Sequence, residues 1–139
     1  MPSPTNRRRL LVATCLVGAL ALFSASIASA KIYLRGLDGR TVRGGKAVRV
    51  FVPVCAGNPT CEEVMRGMRI YITPLVPTIW GKGVEPRPRW PVGKLNGEGR
   101  LAFRMPDLPR GEYRLIAYAT WGFGTAQFVP ATNGFTVAP

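Results

Sequence analysis

The sequence predicts an all-β sandwich of about seven strands, and three observations predict it. Apolar residues alternate with polar ones in segment after segment, which places them on one face of a strand instead of along the stripe of a helix. Between those segments stand turn formers at short, regular spacing: Asp38-Gly39, Gly44-Gly45, Gly57-Asn58-Pro59, Asn96-Gly97 and Pro109-Arg110-Gly111. With 16 Gly and 13 Pro in 139 residues the chain is too punctuated for long helices, and at 47% hydrophobic it is too apolar for disorder.

Each element follows from that pattern. Ile32 to Arg35 is a short first candidate. Lys46 to Val54 sets Val48, Val50, Val52 and Val54 against Arg49 and Phe51, a half-buried strand. Glu62 to Gly67 is the one helical candidate, a single turn. Met68, Ile70 and Ile72 then alternate with Arg69, Tyr71 and Thr73. Pro77 to Pro91 has no period, and its prolines argue against a central strand, so it is expected as a long loop or an edge excursion. Leu101 and Phe103 alternate with Ala102 and Arg104, and Tyr113, Leu115 and Ala117 with Arg114, Ile116 and Tyr118. Thr125 to Val129 and Gly134 to Val137 are the closing strands.

One segment carries a family resemblance. Gly97-Glu98-Gly99-Arg100-Leu101-Ala102-Phe103, followed by Asp107-Leu108-Pro109-Arg110-Gly111-Glu112-Tyr113-Arg114-Leu115, resembles a G-x-F…D-L-P-x-G-x-Y-x-L segment. That segment recurs in bacterial immunoglobulin-like sandwiches and in carboxypeptidase-regulatory, transthyretin-like (prealbumin-like) domains. The resemblance covers about twenty residues and implies a single antiparallel sandwich. It also implies that the Tyr113 ring closes one end, with its hydroxyl bonded to nearby backbone. It speaks to fold far more than to function.

Upstream of the strands, residues 1–30 read as a signal peptide: Arg7, Arg8 and Arg9, then the apolar run Leu10 to Phe23, then the small-residue site Ala28-Ser29-Ala30. Retention as a membrane anchor is the alternative, since Leu10 to Ala30 is nearly long enough to span a bilayer. Cys15 as a lipoprotein cysteine and Asn6 to Leu11 as a twin-arginine signal are two more alternatives, each with departures from the usual pattern. Cleavage before Lys31 leaves about 109 residues as one domain, 31–139, and no transmembrane segment. The expected location is secreted or periplasmic. Three of the 19 basic residues lie in the signal, so the domain carries a net charge of about +9, which favours acidic partners.

Function is bounded mainly by what is missing. The sequence has no histidine, and its serines (Ser3, Ser24, Ser26 and Ser29) all lie in the signal. The usual nucleophile and near-neutral base are therefore absent from the domain, which argues for a non-catalytic protein; an enzyme using Lys or Thr as nucleophile is the remaining catalytic reading. No two of the seven acidic residues form an acid/base pair, and no cofactor is expected. The loop from Trp80 to Trp90 interleaves those two tryptophans with Lys82, Arg87 and Arg89, a pattern suited to an anionic chain held by cations and stacked on rings. The other reading is that the tryptophans cap the core and the cations are solvated. A second basic cluster, Arg35, Arg40, Arg43, Lys46 and Arg49, is opposed only by Asp38. The partners expected are an anionic polysaccharide, a lipid or another envelope protein, and nucleic acid is not among them. Binding or structural work at the cell envelope is the leading function. An accessory subunit or inhibitor that docks through an edge strand or the disulfide loop is the second.

That loop is bounded by Cys55 and Cys61, the only cysteines of the domain, with Asn58-Pro59 between them as a turn. In an oxidising compartment they are expected to pair, whereas a soft-metal site of Cys55, Cys61, Met65 and Met68 is the minor alternative. Intact mass of the exported protein, measured before and after reduction, should therefore differ by two protons, with both thiols alkylated only after reduction.

Overall fold

Alternating sequence becomes alternating burial over Thr41–Arg43, Ala47–Phe51, Arg100–Arg104 and Phe135–Ala138. The computed structural model describes residues 32–53, 63, 65–120 and 125–139. Eight strands follow in chain order: β1 (Thr41–Arg43), β2 (Ala47–Phe51), β3 (Arg69–Pro74), β4 (Trp90–Lys94), β5 (Arg100–Arg104), β6 (Gly111–Ala119), β7 (Gln127–Pro130) and β8 (Phe135–Ala138). They make an all-β sandwich. The larger sheet has the order β1-β8-β6-β3-β4, with β7 also on β6, and the smaller one pairs β2 with β5. Pairing is antiparallel except between β1 and β8, where the first and last strands run parallel.

The core lies between the sheets. Val48, Val50 and Val52 from the β2 region face Ile70 and Ile72 of β3, Tyr113, Leu115, Ala117 and Ala119 of β6, and Phe135 and Val137 of β8, all in one buried cluster. The out-of-phase residues Arg49, Phe51 and Arg69 are exposed, as period two requires. Met65 and Met68 also pack in this core.

Strand β6 is the centre of the larger sheet. One edge pairs with β3 along its length, while the other is shared by β8 at Gly111 to Tyr113 and β7 at Ile116 to Ala119. Where the chain passes from β7 to β8, the Leu115 N–H donates to the Thr132 hydroxyl at 2.8 Å, and the Leu115 carbonyl accepts from the Ala131 N–H at 2.9 Å. The side chain thus replaces a missing backbone partner at a buried site. Tyr113 closes the adjoining corner. Its hydroxyl donates to the Pro109 carbonyl at 2.6 Å, and its ring, 5% exposed, stacks on Phe135 and meets Trp90 edge-on.

Several elements differ from the sequence expectation. Ile32 to Arg35 is no strand: Ile32 and Leu34 are buried, but only Arg35 bridges to Phe51. The segment then presses on β2 at Gly36, whose φ is +115° and where an added Cβ would stand 2.4 Å from the Arg49 carbonyl oxygen. Two strands were not anticipated. β1 is only three residues long, and β4 takes up Trp90 and Pro91 from the end of the unpatterned stretch, proline being tolerated at a sheet edge. The turn expected at Asn96-Gly97 is present and carries the chain from the larger sheet to the smaller. Glu63 and Met65 are helical where a single turn was expected. Cys55 and Cys61 lie outside the described residues, as does the signal segment. No helix among the described residues is long and apolar enough to cross a membrane.

The corner bond separates two effects of Tyr113. Tyr113→Phe keeps the ring and loses one hydrogen bond, so denaturation should show a loss of about 1 kcal/mol. Tyr113→Ala also empties the corner and should cost roughly 3–5 kcal/mol.

Candidate functional site

The outer faces of the two sheets differ in what covers them, and this decides which side chains are free. On the larger sheet the segment from Pro77 to Arg89 folds back across the strands. Thr73 donates its hydroxyl to the Pro88 carbonyl at 2.9 Å, and Arg89 donates to the Pro86 carbonyl at 3.2 Å. The Arg89 guanidinium lies 4.7 Å from the Phe128 ring centroid and 5.8 Å from that of Tyr71. Phe128 also packs against Tyr71 and Tyr118. Beneath this cover Ile116 is 0% and Phe128 6% exposed, although neither belongs to the core between the sheets.

The five loop residues singled out by sequence are therefore not brought together. Trp90 turns inward on β4 and packs on the core. Trp80 is half-buried with the Arg114 guanidinium 5.7 Å from its ring, and the buried Nε of Arg114 has no hydrogen-bond partner among the described residues. Arg89 is held on Phe128 and Tyr71. Arg87 pairs with Glu85 at 2.9 Å in solvent, and Lys82 is exposed. The hydrogen bond from Arg87, and secondarily its charge, hold the Glu85 carboxyl below the ordinary carboxylate range. Any stabilisation from that depression is present above the range and disappears as acid protonates the group.

Nothing among the described residues covers the outer side of the smaller sheet. In register, Arg35 and Arg100 flank Phe51 on its two sides, Arg49 stands opposite Ala102, and Ala47 opposite Arg104. All seven side chains are exposed, and Phe51, at 42%, is among the most exposed large apolar residues described. From strand spacing and rise, the four arginines occupy a patch on the order of 10 by 14 Å. Arg49, Phe51, Asn96, Arg100 and Ala102 line a shallow depression of about 560 Å³ there. Opposing charge is slight. Glu98 approaches Arg100 only to 3.8 Å, both in solvent, while Arg104 donates to the Gly45 carbonyl at 3.1 Å.

The basic cluster read from sequence is thus split. Arg35 and Arg49 join this face, whereas Arg40, Arg43 and Lys46 line a separate depression of about 430 Å³ beside β1. Asp38, the acid within that cluster, is already engaged. One oxygen accepts the Asn133 N–H at 2.9 Å, and the other accepts the Tyr33 hydroxyl, a bond that raises the phenol above the ordinary tyrosine range. Arg100 and Arg104 escape the sequence reading because they sit more than fifty residues downstream of Arg49 and join it only through the β2–β5 ladder. A readable signal existed: both strands carry arginine on the phase opposite to their apolar residues.

Guanidinium groups so placed suit carboxylate, phosphate or sulfate oxygens, which they bind bidentately. Among the described residues no group of three His, Cys, Asp or Glu side chains could hold a metal ion.

No family model matches this chain, and no curated protein matches it. Among solved structures, the superoxide reductase (neelaredoxin) from Ignicoccus hospitalis is similar at 17% identity and a TM-score of 0.36, over 78% of this chain and 79% of that one.

The two loop arginines should respond differently to truncation. Arg89→Ala uncovers Phe128 and Tyr71 and should cost about 1–2 kcal/mol in thermal or chemical unfolding. Arg87→Ala removes only a solvated ion pair and should leave the melting temperature within error of the parent.

Proposed function

We propose that this chain is an exported, non-catalytic β-sandwich of the cell envelope that binds an acidic envelope component on the arginine face of β2 and β5. The observation that carries the reading is the arrangement of Arg35, Arg49, Arg100 and Arg104 around exposed Phe51, with Glu98 the one acid within ion-pair distance of them among the described residues. Like charges within about a Debye length repel one another, and an acidic ligand relieves that repulsion while Phe51 supplies contact that salt does not screen. Absence of histidine anywhere and of serine beyond the signal supports binding over catalysis. The Tyr113 corner bond agrees with what the immunoglobulin-like and transthyretin-like resemblance implies, and that kinship is part of this reading.

Lys82 and Arg87, exposed on the other sheet's covering loop, form a weaker secondary surface, with Trp80 and Arg89 engaged beneath them. The second reading, an accessory subunit or inhibitor docking on a protein, is favoured by one observation: among the described residues β5 has a sheet neighbour on one side only.

Retention of acidic envelope fractions on immobilised protein, eluted stepwise with salt, tests the proposal. Arg49→Gln, Arg100→Gln and Arg104→Gln together should weaken retention by about tenfold or more at low salt, and Lys82→Gln with Arg87→Gln by clearly less. Parent-like retention by the triple variant would overturn it.

A further inference from the structure

The backbone of β5 is less complete than its side chains. Val52 donates to the Gly99 carbonyl, and Phe51 exchanges bonds with Arg35 on the far side of β2. Antiparallel alternation therefore turns Leu101 and Phe103 toward β2 and directs the N–H and C=O of Arg100, Ala102 and Arg104 away from it. Asn96 meets both Arg100 groups, its Oδ1 accepting the N–H and its own N–H donating to the carbonyl, each at 3.0 Å. Those of Ala102 and Arg104 have no partner among the described residues. On the core side Leu101, which lies against Gly93 of β4, and Phe103 stay half-buried. The opposite edge of the same sheet is occupied by Arg35 and by the close approach of Gly36.

We infer that β5 accepts an extended segment of a partner protein as an added strand, with acidic residues four apart facing Arg100 and Arg104 and two apolar residues between them covering Leu101 and Phe103. This rests on the reading that the arginine face binds an acidic component, and it names that component as protein. Main-chain bonds at Ala102 and Arg104 supply affinity, while the alternate side chains supply selection. A second copy of this chain is a poor occupant. Antiparallel self-pairing about Ala102 sets Arg100 against Arg104 twice, and like charges directly opposite are destabilising. An anionic polysaccharide or lipid surface would use the guanidiniums but neither the open backbone groups nor the half-buried apolar pair.

The probe is a synthetic peptide containing Glu-Val-Thr-Val-Glu, compared with a scramble of the same composition, heparin, and vesicles of phosphatidylglycerol. The peptide should bind, amide exchange at Ala102 and Arg104 should slow by about tenfold or more, and the scramble should bind about tenfold more weakly. Ala102→Pro deletes an outward N–H without changing charge, so it should abolish peptide binding and leave heparin retention as in the parent. Should that variant not fold, exchange in the unaltered protein decides alone. Unchanged exchange at Ala102 and Arg104, or equal binding of the scramble, overturns the added strand. If heparin or vesicles are then held through the arginines, the acidic-component reading stands without it; if neither is held, both fall. Dimerisation of Arg100→Gln with Arg104→Gln in a protein whose parent ignores the peptide would mark the arginines as edge guards and also overturn it.

Discussion

Strand β6 must satisfy the backbone N–H and C=O groups of nine consecutive residues inside the protein, and the way it does so places the other strands of the larger sheet. β3 takes one edge without interruption. The second edge takes two short strands in succession, and Thr132 fills the gap between them with its hydroxyl. Because β8 is held at the start of β6, its own free edge is left for β1, whose three residues run parallel to it and join the beginning of the described chain to its end. The Tyr113 bond to Pro109 closes the corner at which β6 enters the sheet.

A sandwich has two outer faces, and here they are treated oppositely. The larger sheet carries Tyr71, Ile116, Tyr118 and Phe128 outward, an apolar set that solvent would penalise, and the segment between β3 and β4 lies across it. Arg89 and Trp80 belong to that cover. Their cation–π contacts hold a loop that has little regular pairing of its own, so the same residues that resemble a polyanion site in sequence act as local packing. The smaller sheet carries arginines and alanines outward around one phenylalanine, and nothing described lies over it.

Charge and edge geometry on that smaller sheet reinforce one another. An open strand edge invites pairing, and arginines on it discourage a second identical edge while remaining compatible with an acidic one. With a net charge of about +9 on the domain, attraction toward acidic surfaces acts over roughly a Debye length before any contact forms. Among the described residues Arg35, Arg49 and Phe51 are exposed, have no ion-pair partner and lie together.

The class of fold and the buried faces of β2, β3 and β6 were legible from period-two alternation, a local property of the chain, and the corner role of Tyr113 from the resemblance around Gly111 to Tyr113. The composition of the sequence also bounded function by withholding histidine and serine from the domain. Tertiary structure alone decided the rest. Whether Trp90 faced a ligand or the core depended on β4 joining β3, a pairing between segments with no shared pattern, complicated by a register shift at Ile70 and Tyr71. Ile32 to Arg35 looked like a strand because it is apolar and short, yet burial without a ladder gave it only one bridge. The arginine face is the clearest case: Arg35, Arg49, Arg100 and Arg104 lie far apart in sequence, and only the antiparallel register of β2 with β5, plus the bridge at Phe51, sets them on one surface. Periodicity reports which side of a strand is apolar, but it carries no information on which strand lies beside it.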